Sequence, residues 1–248
     1  MEGKAHPHLI FAFQFFKEVM MNRRVFIAAT PALCTVAVPA IFSPSVRAAE
    51  EGKAGLAKAA AASLVKVGST LENLQAAYNG QSNARAKYVA YAKKADEEGY
   101  GQVASLFRAA AKSGEIHIEN CAKAIKAMGG DAKADIKVVE PKSTLENLQD
   151  GIKGEAYEAE LMYPAFLKKA REENHTDAVR SFNFALNAEK THVNLYKEAR
   201  GKLDEMKSPG GAVFFVCPTC GYTVKKADLT FAKCPICSTS AKIFVEVK

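Results

Sequence analysis

The chain has 248 residues, 48% apolar and 25% charged, enough for a medium domain with a small one beside it and too apolar for global disorder. Its formal net charge is +7, and residues 1–48 carry five basic against two acidic side chains, which leaves +4 for the rest. Lys and Glu alternate there along helical faces with no basic block, so no nucleic-acid partner is expected.

The N-terminal region reads as an address. Arg23 and Arg24 precede an apolar stretch, 25–42, broken by Pro31 and Pro39, and Val46-Arg47-Ala48 follows with small residues near a cleavage point. A charged, an apolar and a small-residue region in that order make an export signal. Arg23-Arg24-Val25-Phe26-Ile27 resembles a twin-arginine signal, which implies export to the periplasm of a protein already folded around its cofactors. The apolar stretch is marginal for a membrane span, so the mature form is expected to hold none. Residues 1–48 are therefore expected to be an N-terminal extension and export signal. Residues 1–20 do not look like part of it, and Met20 or Met21 suits a start.

An internal repeat organises residues 49–207. Ser-Thr-Leu-Glu-Asn-Leu-Gln occurs at 69–75 and again at 143–149, an offset of 74. Gly80-Gln81 then matches Gly154-Glu155. One extra residue enters the second copy further on, so that Phe107 matches Phe182 and His117 matches His192. A two-copy repeat of this length predicts a duplicated helical hairpin, and so a four-helix bundle in a mainly α protein. Ser69 or Thr70 is expected to start the first helix and Ser143 or Thr144 the third. Gly99, Gly129-Gly130 and Asn174 mark ends, and the fourth helix is expected over about 176–206.

Helical periodicity puts Val103, Phe107, Ala110, Gly114, His117 and Cys121 on one face of the second helix. It groups Leu148, Glu155, Glu158, Met162 and Phe166 on the third, and Ala178, Phe182, Ala185, Glu189, His192 and Tyr196 on the fourth. Three carboxylates and two histidines thus fall on faces that should be buried. An unpaired buried carboxylate costs several kcal/mol, about 3 or more, so a cation is expected between them. Glu155-x-x-Glu158 and Glu189-x-x-His192 offer oxygen and imidazole ligands suited to iron or manganese, and also to zinc.

The linker 208–211, Ser-Pro-Gly-Gly, opens a small module, 208–248. Cys217-Pro218-Thr219-Cys220 and Cys234-Pro235-Ile236-Cys237 give C-x2-C-x13-C-x2-C, the spacing of a four-cysteine metal site rather than a disulfide framework. Iron and zinc both fit. Phe214, Phe215, Tyr222, Phe231 and Phe244 are expected to pack round the centre. So small a module needs its metal to fold.

Asn79-Gly80-Gln81-Ser82-Asn83-Ala84-Arg85, Leu106-Phe107-Arg108, His117-Ile118-Glu119-Asn120, Gly154-Glu155-Ala156-Tyr157-Glu158, Met162-Tyr163-Pro164 and Ala188-Glu189-Lys190-Thr191-His192 resemble rubrerythrins, and the likeness covers about 64–248. It implies a ferritin-like bundle with a di-iron site and a rubredoxin-like β module. It also implies hydrogen peroxide reduction with electrons relayed from the cysteine-bound iron, with Glu155, Glu158, Glu189 and His192 as catalytic residues. It further implies a homodimer that sets one chain's module near the other's bundle, and a separate redox donor. Two positions depart from the family pattern. Gln81 stands where a terminal carboxylate ligand is expected, and Gly114 where a bridging one is. Glu115 points about 100° away round the helix and is a poor substitute. Three remaining carboxylates suit one divalent ion better than two. Glu155, Glu189 and His192 are therefore expected to keep a metal, and the half with His117, Glu158 and Gln81 to be weak or empty. The alternative function is electron transfer or metal binding with little peroxidase activity.

Overall fold

The computed structural model describes residues 65–248. The export signal and start site lie outside the described residues. Helix α1 spans Thr70–Glu97 and α2 Gly101–Ala127. A second hairpin comes next: α3 (Thr144–Tyr157), a π-helical turn (Glu158–Met162), α4 (Tyr163–Glu172) and α5 (Thr176–Gly201). Helices α3 and α4 run on through the π turn as one rod, so the bundle has four rods. The expected fourth helix stops at Gly201, short of 206, and the chain tightens into a 3-10 turn, Leu203–Met206.

The two halves begin alike because their sequences do. Ser69 caps α1 and Ser143 caps α3, each in a reciprocal box with Glu72 or Glu146. The hairpin turns also match. Gly99 and Asn174 both take positive φ, 81° and 61°, values that glycine and asparagine tolerate best. Each half then caps the other. Glu98 accepts from the Thr144 N–H at 2.8 Å and its hydroxyl at 2.7 Å, and Glu173 accepts from the Thr70 N–H at 2.7 Å.

The extra residue of the second repeat is accounted for by the π turn. The rod 144–172 is one residue longer than 70–97, and the surplus is taken up between Glu158 and Met162. A π turn absorbs one residue without ending a helix, and it rotates the helical turns beyond it. Glu158 and Met162 are accordingly half-buried, not fully buried as the periodicity predicts.

The connection between hairpins, 128–143, is pinned along α1 by polar side chains one turn apart. Asn79 Oδ1 accepts from the Asp135 N–H and Asn83 Oδ1 from the Lys137 N–H, both at 2.8 Å. The bundle core divides in two. One cluster centres on Phe107, Tyr88, Leu148 and Tyr196, the other on Leu74, Ile125, Tyr163 and Phe182. A buried polar centre lies between them.

Three short strands form the C-terminal sheet: β1 (Phe214–Val216), β2 (Thr223–Lys225) and β3 (Val245–Val247), antiparallel in the order β2-β1-β3. Phe214 turns away from the cysteines and joins the bundle core, while Phe184 of α5 packs against the cysteine cluster. Phe215, Tyr222, Phe231 and Phe244 surround the cysteines as expected. Among the described residues no helix is long and apolar enough to cross a membrane.

Candidate metal centres

Four cysteines converge at the end of the sheet. Cys217, Cys220 and Cys234 are buried and Cys237 is half-buried, and their sulfurs all lie within 4.8 Å of one another. The Cys217–Cys237 and Cys220–Cys234 sulfur separations are 3.5 and 3.6 Å. A tetrahedral ion with metal–sulfur bonds of about 2.3 Å needs edges of about 3.8 Å, so the cluster is close to a ready cradle. The hydrogen bond from Cys220 holds the Cys217 thiol down at about 5, which favours the thiolate state a metal requires.

In the bundle, Glu155 of α3 and Glu189 and His192 of α5 form a second buried group with ligand atoms within 4.8 Å of one another. His192 Nδ1 lies 2.8 Å from Glu189 Oε2 and 3.5 Å from Glu155 Oε2. Tyr88 donates its hydroxyl to Glu155 Oε1 at 2.5 Å, but Glu155 Oε2 is buried with no hydrogen-bond partner. An orphaned carboxylate oxygen aimed at an imidazole nitrogen and a second carboxylate is what a cation would satisfy. These three residues fit one metal ion.

The electrostatics agree. Burial, then the charge of Glu189, pushes Glu155 up to about 8. Burial, then Glu189 and Glu155, also pushes Glu158 well above the usual carboxylate range. Burial works against charge on Glu189, yet its contacts with Glu155 and His117 outweigh that and hold it low. Burial likewise opposes the His192 imidazolium, and the two carboxylates overcome it, raising His192 to about 10. These directions are those of crowded carboxylates that favour positive charge beside them.

The other half of the centre is built differently. The Gln81 amide nitrogen donates to Glu158 Oε2 at 2.7 Å and Glu189 Oε1 at 2.9 Å, and lies 3.1 Å from the Tyr163 hydroxyl. Its carbonyl oxygen lies 3.3 Å from His117 Nδ1, and His117 Nδ1 lies 3.1 Å from Glu189 Oε1. The amide therefore stands among the groups that would enclose a second ion. It holds them by hydrogen bonds while adding no charge of its own. At Gly114 an added Cβ would sit 3.4 Å from Gln81 Oε1, so a side chain there would enter this same space. Glu115 pairs with Lys112 at 3.3 Å on the surface and takes no part. The residues present do not fit a second ion.

The rubrerythrin family profile matches residues 72–200. The chain is 44% identical to nigerythrin from Nitratidesulfovibrio vulgaris over 69% of its own length and 83% of that protein's. It is 34% identical to rubrerythrin-2 from Clostridium acetobutylicum over 73% of its length and 97% of the relative's. The chain belongs to the rubrerythrin family. A solved structure of fully reduced, all-ferrous nigerythrin superposes with a TM-score of 0.68 at 42% identity, covering 74% of this chain and 89% of that one. The ferritin-like bundle and rubredoxin-like module of this rubrerythrin are thereby established, as is its place among non-haem iron oxidoreductases. Iron-binding family membership accords with both residue clusters.

All four module cysteines and all the bundle residues named from the sequence meet in these two centres, with His117 and Glu158 on the Gln81 side. Sequence reasoning gave no site role to Tyr88 or to Tyr163, which occupy equivalent places in the two repeats, one offset by 75 from the other. That offset was the signal that could have found them. It also missed Thr223, whose hydroxyl lies 2.9 Å from His192 Nε2. No local pattern announces that contact.

Proposed function

We propose that this rubrerythrin reduces hydrogen peroxide to water at a single iron held by Glu155, Glu189 and His192, with electrons relayed from an iron held by Cys217, Cys220, Cys234 and Cys237. Each peroxide takes up two electrons and two protons and yields two waters. Bound iron supplies the one-electron chemistry that carboxylates, imidazoles and amides lack. The chain's own part is to place the centres in contact and admit the substrate. The observation that carries the reading is the contact between them, made by this chain's own module where the resemblance implies the other chain's: the Cys220 carbonyl accepts from His117 Nε2 at 3.1 Å, and Thr223, three residues on, meets His192. A cavity of about 350 Å3 between Asn79, Asn83, Lys87 and Glu158 opens to solvent and reaches the Glu158 edge of the buried polar centre.

The Gln81 amide favours a second reading, electron transfer with little peroxide turnover, because it removes the paired-metal arrangement. One experiment separates the two. Full-length protein purified without oxygen should hold two irons per subunit, show the red colour of ferric iron on thiolates, and regain that colour rapidly when the reduced form meets peroxide. Three irons overturn the single bundle site. Slow recolouring with two irons supports the electron-transfer reading, and colourless zinc on the cysteines ends both. On the N-terminal residues we further propose export to the periplasm, and on the family likeness a homodimer. Fractionation and solution mass test these.

A further inference from the structure

One turn of the module touches the outer nitrogens of both bundle histidines. His117 Nε2 faces the Cys220 carbonyl at 3.1 Å, and a carbonyl only accepts, so that nitrogen carries the hydrogen. At the next residue, Ser113 donates to the Gly221 carbonyl at 2.8 Å and fastens the turn to α2. Thr223 is fully buried, donates its hydroxyl to the same Gly221 carbonyl at 3.1 Å, and lies 2.9 Å from His192 Nε2. A hydroxyl has one hydrogen. With that hydrogen directed at Gly221, the Thr223 oxygen is left as an acceptor, and His192 Nε2 must donate to it. The nitrogen left to face Glu155 and Glu189 is then Nδ1.

We infer that Thr223 is a positioning residue for the bundle metal: it holds His192 in the tautomer and ring orientation that offer Nδ1 to an ion between Glu155 and Glu189. The module thereby supplies the outer shell of the bundle centre as well as its own four cysteines. Outer hydrogen bonds of this kind fix which nitrogen of a ligand histidine is free, and losing one typically weakens metal binding about 10- to 100-fold. The inference rests on the reading that Glu155, Glu189 and His192 hold a metal.

The test uses full-length protein with the cysteine site loaded, titrated anaerobically with ferrous iron. Thr223→Val keeps the shape and removes the acceptor, so it should bind bundle iron about 10-fold or more weakly, with the cysteine-site spectrum unchanged. Thr223→Ser keeps the hydroxyl and should restore binding to near the wild-type level. Equal affinity in Thr223→Val and wild type overturns the inference, as does a serine variant no better than the valine one. Zinc-loaded wild-type protein gives an answer that needs no variant. Proton–nitrogen correlation spectra should show the His192 hydrogen on Nε2, and zinc on that nitrogen would refute the assignment. A wild-type bundle that takes up no iron at all removes the metal reading itself, and this inference with it.

Discussion

Residues 70–97 and 144–172 start from the same capping box and end in the same kind of left-handed turn, yet they bring different chemistry to the middle of the bundle. In the first half Gln81 stands where the second has Glu155, Gly114 where it has Glu189, and Ala84 where it has Glu158. Only the histidines, His117 and His192, agree. Backbone and buried apolar faces are thus shared by both copies while the buried carboxylates belong to one. The comparison teaches that the fold does not depend on matching carboxylates in the two halves. Helix caps, turns and aromatic packing repeat without them, and a neutral amide satisfies the carboxylates that reach across from the other half.

The largest effect should come from exchanging the two characters. Giving the second half the first half's residues, Glu155→Gln with Glu189→Gly, should abolish bundle metal while the cysteine site stays coloured. The converse, Gln81→Glu with Gly114→Glu, should raise the bundle content from one ion per subunit to two. Gly114→Glu alone should do neither. It adds a carboxylate to a buried space already shared by Gln81 and Glu189, and should cost about 3 kcal/mol or more in metal-free protein. Metal analysis referred to the cysteine-site absorbance checks all three, and unchanged metal counts in the exchanged proteins would break the comparison.

A smaller difference should separate Tyr88 from Tyr163. The Tyr88 hydroxyl donates to a carboxylate, Glu155, at 2.5 Å, whereas Tyr163 lies 3.1 Å from the neutral Gln81 amide. Hydrogen bonds to charged groups are worth about 1.5–3 kcal/mol and neutral ones about 1. In metal-loaded protein, Tyr88→Phe should therefore destabilise more than Tyr163→Phe, by about 1 kcal/mol in urea denaturation. Equal losses would mean that Glu155 is no more charged than Gln81, even with a metal present.

Much of this was legible in the chain. The heptapeptide repeat marked both helix starts, the cysteine spacing marked the module, and the carboxylate–histidine stripe marked Glu155, Glu189 and His192. The features that stayed hidden depend on contacts across the fold. The offset change from 74 to 75 announced an insertion, but only packing decides that it is absorbed at Glu158–Met162. Gln81 read as a missing ligand. Its amide nitrogen acquires a role only when Glu158, Glu189 and Tyr163 converge on it from other rods. Phe214 lies next to the cysteine region in sequence and was expected there. The strand's alternation sends it into the bundle instead.

The smallest difference lies in the crossed caps. Glu98 and Glu173 are equivalent across the repeat, each at the end of a rod, each capping the other half's Thr and each paired with a lysine one turn earlier, Lys94 at 3.3 Å and Lys169 at 2.9 Å. Contacts with Thr70 and Lys169 hold Glu173 down at about 2. Glu98 is also lowered, against the opposing effect of burial, by its bonds with Thr144 and Lys94. A carboxyl lowered on folding stabilises above its ordinary value and loses that contribution as pH falls through its folded value. Both caps should therefore weaken as pH drops from about 4.5 towards 2, the Glu173 cap over the wider window. Glu173→Gln should flatten the pH dependence of unfolding in that window more than Glu98→Gln does. Both changes should shrink in high salt, because the carboxylates lie near the surface. Urea midpoints measured from pH 5 down to 2 decide it. If the two variants flatten the profile equally, the caps are equivalent in energy as well as in place, and the asymmetry between the halves is confined to the metal centre.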